Sequence, residues 1–358
     1  MSLAGSNVPP HGKNIEKSFP PWEPPVIIKA SGLGRGITSH VGADLVSFRR
    51  TAALGIFLSA LLTGSSALHA VIIVSGNGNT TAPVDDPGFA NLGKSATGNA
   101  SATYLGNRWA ISARHVTVSN QVTFGGITYT VDNSSITPLF NSDSTIADLQ
   151  LFRLTTDPGL PTLSIGTSTP AVGSQFTMAG NGFDRGNQHY WNVTAGPTWT
   201  EVFTPSSATH SGYDWLGSHT IRWGQNIVES IGGYDDLTGF GNVHYFEDQF
   251  DHVDWTQPTG LANPGNEAIA TIGDSGGGAF QKSGSTWSLV GLIVARTAFE
   301  NQPGGPNTET SVFGNSTLIA DLSQYRAQIR AIVPEPSSLV LALMGLAAWS
   351  CCLRRKAG

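Results

Sequence analysis

The chain has 358 residues, 39% of them hydrophobic and only 12% charged, which is enough apolar material for a sizeable core. A formal net charge of −6 leaves no basic footprint for nucleic acid, and that partner class is excluded. With 43 glycines the chain favours turns over long helices, so one all-β domain with extensions is the expected plan.

Residues 1–45 are rich in Pro and Gly, with Phe19-Pro20-Pro21-Trp22 and Pro24-Pro25, and read as a solvated leader without apolar periodicity. Phe48-Arg49-Arg50, an apolar run from Ala52 to Leu62 and the small residues Gly64-Ser65-Ser66-Ala67 follow. Together they give residues 46–70 the charged, apolar and small-residue regions of a secretory signal peptide, cut by signal peptidase after Ala67 or Ala70. The run is too short for a comfortable membrane span. Signal peptides begin near the start of a chain, so two readings of residues 1–45 stand: a gene-model extension with the true start near Val41 to Val46, or a genuine long leader.

The body, residues 71–332, opens on Val71-Ile72-Ile73-Val74, read as a first strand, and continues in short strands. Ala102–Leu105 and Trp109–Ile111 flank the turn signal Gly106-Asn107; Gln121–Phe124 and Ile127–Val131 flank Gly125-Gly126. Trp109–Ala113 leads directly into Arg114-His115-Val116, and Asp148 opens a largely alternating strand to Leu154. Gln175–Ala179 and Ser288–Val294 are further strands. Between Gly180 and Ala270 lie Trp191, Trp199, Trp215, Trp223 and Trp255, read as core by default. In the same region His244–Asp254 mixes acids and imidazoles; a cation site is one reading and a solvated surface loop the one adopted.

Gly273-Asp274-Ser275-Gly276-Gly277-Gly278 is the stretch around which the chain is organised. A nucleophilic hydroxyl needs close approach of a carbonyl and backbone donors beside it, and glycines permit both. Beyond it Leu318, Ile319, Leu322, Tyr325, Ile329 and Ile332 fall near helical spacing, with Asp321 early and Arg326 and Arg330 late, which predicts a C-terminal helix.

Gly273–Gly277 resembles the nucleophile motif of chymotrypsin/trypsin-like serine peptidases, departing only at Gly278, where the family usually has proline. The segments around His115 and Asp148 resemble that family's histidine and aspartate segments, with Arg114 and Val116 as departures, and the order His, Asp, Ser is the chymotrypsin order. The resemblance implies two six-stranded antiparallel β-barrels with the active site between them, a catalytic triad of His115, Asp148 and Ser275, and an oxyanion hole from the N–H groups of Gly273 and Ser275. It implies a peptide or protein substrate and needs no metal or organic cofactor. Ile269 falls where trypsin carries its acidic pocket residue. With Ala270 it makes an apolar pocket base, while Val294 and Arg296 fall where the family has a supporting serine and a pocket glycine. Small or apolar P1 side chains are expected, with an acidic P1 facing Arg296 as the alternative. The family's activated members pair a new N-terminus with the Asp before the nucleophile; Val71 or Ile72 facing Asp274 is the corresponding alternative to a plain first strand. The only cysteines, Cys351 and Cys352, lie in the tail, so the body is held by packing rather than disulfides.

Residues 333–358 carry Val333-Pro334-Glu335-Pro336, an apolar run from Leu339 to Leu353 and Arg354-Arg355-Lys356. They resemble a PEP-CTERM sorting signal of Gram-negative bacteria. This implies an exosortase-like partner, transient anchoring in the inner membrane and delivery to the cell surface or extracellular matrix; a permanent C-terminal anchor is the alternative. Two main functional classes follow, an exported serine endopeptidase acting through an acyl-enzyme or a catalytically weak or inactive peptidase-fold surface or matrix binding protein, with an acyl-transfer or esterase role as a third.

Overall fold

The computed structural model describes residues 71–251, 266–304 and 309–333. The expected leader, the signal peptide, the apolar tail, Trp255 and His252–Asp254 lie outside these residues.

After β1 (Ile72–Ile73) come β2 (Leu92–Lys94), β3 (Ser101–Gly106), β4 (Trp109–Ala113), β5 (Gln121–Phe124), β6 (Ile127–Phe140) and β7 (Ile146–Leu154). The last six close a barrel in the order β2-β3-β4-β7-β6-β5. Both expected hairpins are present. The β3–β4 turn places Asn107 and Arg108 at φ 52° and 69°, and the β5–β6 turn places Gly125 and Gly126 at 57° and 79°. Paired left-handed residues give a turn whose twist matches that of the strands it joins. Leu92, Tyr104, Ile111, Phe124, Leu149 and Leu151 belong to one buried cluster that also takes in Phe280, Leu289 and Tyr325 of the second half, with Tyr104 edge-on to Phe124 at 5.8 Å.

The second half runs β8 (Gln175–Gly180), β9 (Phe183–Thr194), β10 (Thr198–Val202), β11 (His210–His219), β12 (Arg222–Ile227), β13 (Ser230–Asp235) and β14 (Val243–Glu247). It continues through β15 (Ala268–Ile269), β16 (Gly278–Ser283), β17 (Thr286–Arg296), β18 (Thr310–Val312) and β19 (Thr317–Asp321) to the helix α1 (Arg326–Ile332). The molecule is therefore mostly β with one C-terminal helix, as expected. Where the resemblance implies a second six-stranded barrel, the second half carries a seven-stranded antiparallel sheet, β12-β8-β16-β17-β19-β14-β13. β10-β9-β11-β18 form a separate four-stranded sheet, and β1 pairs with β15. The stretch between Gly180 and Ala270 supplies β9 to β14.

Three local expectations are revised. The helix is shorter than its apolar spacing suggests, because Leu318, Ile319 and Ala320 pair in β19 with β17 and β14 and fill the sheet core. His244–Asp251 is not a solvated loop. β14 pairs with β13 and β19, Phe246 and Phe250 are buried, and Asp248 Oδ1 accepts from Thr317 N at 2.6 Å. Among the described residues no group of three His, Cys, Asp or Glu is arranged to hold a metal ion. Trp191 and Trp215 are core, as read, but Trp223 is only half-buried and lines a cavity of about 320 Å³ with Phe176, Lys282 and Trp287 on the outer sheet face.

Candidate active site

β4 and β7 run antiparallel with Ala113 opposite Leu149, so the chain leaving β4 passes beside Asp148. Arg114 N donates to the Asp148 carbonyl at 3.2 Å, and His115 N donates to Asp148 Oδ1 at 2.9 Å. The imidazole Nδ1 lies 2.7 Å from Asp148 Oδ2. Asp148 is 1% exposed, whereas the His115 side chain keeps 20% of its surface open. An ionised carboxylate only accepts hydrogen bonds, so in the neutral ring Nδ1 carries the proton and Nε2 keeps its lone pair. The two-point grip on backbone and ring fixes the imidazole plane.

Gln150, two residues beyond Asp148 and nearly buried, holds the same loop from beneath. Its Nε2 donates to the carbonyls of Ala113 at 2.9 Å and Val116 at 2.7 Å. The amide thus ties both ends of the histidine turn.

The nucleophile loop needs its glycines for stated reasons. Gly273 and Gly276 have φ 98° and 88°, and a Cβ on them would meet the Asn99 and Ser101 carbonyl oxygens at 2.7 and 2.2 Å. The loop is docked on β3 of the barrel. Ser101 N donates to the Ser275 carbonyl at 3.0 Å, Ser101 Oγ to that of Gly273 at 2.9 Å, and Thr103 Oγ1 to that of Gly276 at 3.0 Å. Asp274, fully buried, is turned inward: Gly182 N donates to Oδ1 and Thr271 N to Oδ2, each at 2.7 Å. Burial pushes its carboxyl up to about 7 against these donors, with Asp184 nearby adding to the rise. Ile72 sits in β1 opposite Ile269, so this segment is a plain first strand. Arg222, buried within the electrostatic reach of Asp274 and Asp184, is the internal cation beneath the loop.

Within the loop, Asp274 N bonds Thr271 O, Gly276 N bonds Ile293 O and Gly277 N bonds Asp274 O. The N–H groups of Gly273 and Ser275 have no acceptor among the described residues. Ser275 Oγ donates to the Val294 carbonyl at 3.4 Å, a long bond. Hydrogen bonds between catalytic groups are often long or poorly aligned without substrate and tighten when it binds.

The four residues assigned to substrate contact are placed differently. Ile269 is fully buried with Ile72, Tyr213, Trp215, Phe250 and Phe313, and Ala270 lies in the adjoining core. Both face packed side chains, because β15 pairs with β1 and covers this ground. Val294 is buried and presents its carbonyl rather than its side chain to Ser275. Arg296 stacks on Trp215 at 4.6 Å, ion-pairs with Glu309 and borders a cavity of about 320 Å³ with Phe299, Gln302 and Thr310. Burial lowers its guanidinium to about 10, and Glu309 already answers its charge.

Two contacts have no counterpart in the sequence reading. Thr238 Oγ1 donates to Asp148 Oδ2 at 2.7 Å, and the Phe240 ring lies 5.9 Å from the His115 ring. Both come from the β13–β14 hairpin, and only the turn composition Asp236-Leu237-Thr238-Gly239 marks the place in the sequence.

Comparison with known proteins fixes no family for the chain as a whole. No curated protein matches the chain. A structure of the Rv3671c protease in its inactive form is similar at 11% identity and a TM-score of 0.36, covering 68% of this chain and 90% of that one. A serine-to-alanine mutant of Rv3671c from M. tuberculosis H37Rv is similar at 12% identity and a TM-score of 0.38, covering 72% and 94%. The HtrA-type protease AlgW with a decapeptide is similar at 14% and 0.36, covering 65% and 51%. Likeness this low decides nothing about activity. Residues 333–356 match the PEP-CTERM protein-sorting motif, which implies export and an exosortase-type sorting partner in a Gram-negative bacterium.

Proposed function

We propose that the protein is an exported serine endopeptidase in which Ser275 attacks the scissile carbonyl. His115 takes the hydroxyl proton at Nε2 and returns it to the leaving amine. Asp148 holds the ring tautomer and stabilises the imidazolium as charge develops. Gly273 and Ser275 offer their N–H groups to the oxyanion, a contribution on the order of 3 kcal/mol per donor in the related arrangement that serves as the standard worked case. The observation that carries this reading is the two-point grip of buried Asp148 on His115, 2.9 Å to the backbone and 2.7 Å to Nδ1, which leaves Nε2 free to act as base. The proposed substrates are peptides or proteins outside the cell. The sorting motif supports release through an exosortase-type step, with signal peptidase acting at the other end. Cell surface and extracellular matrix are the proposed destinations.

A second reading, a peptidase-fold binding protein at the same destinations, is favoured by the bond from Ser275 Oγ to Val294 O. A fluorophosphonate separates the two. Labelling at Ser275 that is lost in His115→Ala, with cleavage within a broad peptide library, supports the peptidase. Neither labelling nor cleavage leaves the binding protein as the better account.

A further inference from the structure

We propose that Thr238 is the positioning residue for Asp148, and that the β13–β14 hairpin exists in this chain to deliver it. This rests on the peptidase reading above. Asp148 is almost wholly withdrawn from water, so each carboxylate oxygen depends on protein donors. Oδ1 has the His115 N–H at 2.9 Å; Oδ2 has His115 Nδ1 at 2.7 Å and the Thr238 hydroxyl at 2.7 Å. Without Thr238 the oxygen facing the imidazole keeps one donor, and nothing on its far side sets the carboxylate plane. The position where the resemblance puts a supporting serine is occupied by Val294, whose side chain has no donor. The hydroxyl therefore comes from another element, in a stretch of sequence with no family likeness.

The loop is built to hold that hydroxyl in place. Asp236 Oδ1 accepts from Gly239 N at 2.7 Å and, more weakly, from Thr238 N and Gly241 N at 3.3 Å. Gly239 and Gly241 take φ 80° and 137°, and a Cβ on Gly241 would stand 2.3 Å from the Ile146 carbonyl. The turn is thus pressed against the start of β7, the strand that carries Asp148. On its other side Arg114 donates to the Phe240 carbonyl at 2.6 Å, and the Phe240 ring stands against His115. One loop contacts the residue before the histidine, the histidine and the aspartate. A loop serving stability alone has no need of a hydroxyl on the carboxylate.

The test uses the full chain carrying Thr238→Val, which keeps the shape and removes the hydroxyl, Thr238→Ser, which keeps the hydroxyl, and Thr238→Ala as a smaller second deletion. Saturation kinetics of fluorophosphonate inactivation separate the maximal rate from the half-saturating concentration. Losing a hydrogen bond to a charged group predicts a maximal rate about 10-fold lower in Thr238→Val and Thr238→Ala. The half-saturating concentration stays unchanged and Thr238→Ser keeps the wild-type rate. The Nδ1 proton resonance of His115 is followed in parallel and shifts in Thr238→Val but not in Thr238→Ser. Wild-type rates in Thr238→Val overturn the proposal, as does a Thr238→Ser variant as slow as Thr238→Val. If wild type fails to react at Ser275, the peptidase reading fails. The positioning role is then judged by the resonance alone, and an unmoved Nδ1 proton in Thr238→Val overturns it.

Discussion

Replacing Ser101 by Ala tests whether the nucleophile loop is held by the barrel. Ser101 is fully buried in β3, and its hydroxyl bridges the two halves, donating to the Gly273 carbonyl at 2.9 Å and accepting from Asn181 N at 2.7 Å. Alanine leaves a buried carbonyl and a buried N–H without partners, each at about 1–3 kcal/mol, so a loss of about 2–6 kcal/mol in unfolding free energy is expected. The backbone bond from Ser101 N to the Ser275 carbonyl survives, so the fold is retained. The carbonyl released belongs to the peptide that joins Gly273 to Asp274, and its freedom should also slow fluorophosphonate labelling of Ser275. Urea unfolding followed by tryptophan fluorescence gives the first quantity, and labelling under native conditions the second. Thr123→Val, which removes a surface hydroxyl bonded to Thr128 at 3.1 Å, is the control and should stay within about 0.5 kcal/mol. A Ser101→Ala variant as stable as this control, with wild-type labelling, refutes the reasoning.

Ser275→Ala and the double change with His115→Ala should lose nearly the same activity, on the order of 10⁴-fold or more, because groups acting as a unit are not additive; separable losses against a cleaved library peptide would contradict this. Asp148→Asn should cost about 10⁴-fold in kcat by presenting the wrong tautomer. Ile269→Asp should not create arginine specificity but should unfold the protein at lower urea, since it buries an unpaired charge in the cluster around Phe250; a soluble variant that cleaves after arginine would show that Ile269 lines a pocket after all. Burial raises Glu267 to about 9 and Asp274 to about 7, so the folded chain holds protons that the unfolded chain releases near pH 4. Acids raised on folding favour the folded state at low pH. Stability should therefore fall as pH rises, from about 4 to 7 for Asp274 and to 9 for Glu267, by up to about 1.4 kcal/mol per unit for each. Urea midpoints at pH 5, 7 and 9 check this, and Glu267→Gln should flatten the limb above 7.

Short-range rules carried the first half of the molecule. The Gly125-Gly126 signal marks a real hairpin turn, and Gly106-Asn107 marks one that falls a residue later, at Asn107-Arg108, because a two-residue turn is decided by its own backbone angles. His115 and Asp148 meet because they lie at the ends of neighbouring strands. The second half depends on long-range pairing that no local pattern announces. Leu318 and Ile319 have helical spacing with Leu322, yet β17 and β14 offer them edges and the strand wins. Ile269 stands six residues before Ser275, but its surroundings are set by β1, nearly two hundred positions earlier in the chain. Thr238 was beyond reach for the same reason: its partner lies 90 residues away, and threonine in an acidic turn is ordinary until the fold brings Asp148 beside it.

The amide of Gln150 has a bearing on when the dyad comes into being. A disulfide at the histidine turn would form only after the chain had reached an oxidising compartment, so its geometry would mature with export. Gln150 Nε2 closes the same turn through carbonyls alone, at 2.7 and 2.9 Å, and these bonds form as readily among reduced thiols as in their absence. The site therefore assembles on folding, without an oxidase and indifferent to reductant. On the peptidase reading, any delay of activity until the chain has left the cytoplasm comes from when it folds, not from its redox state.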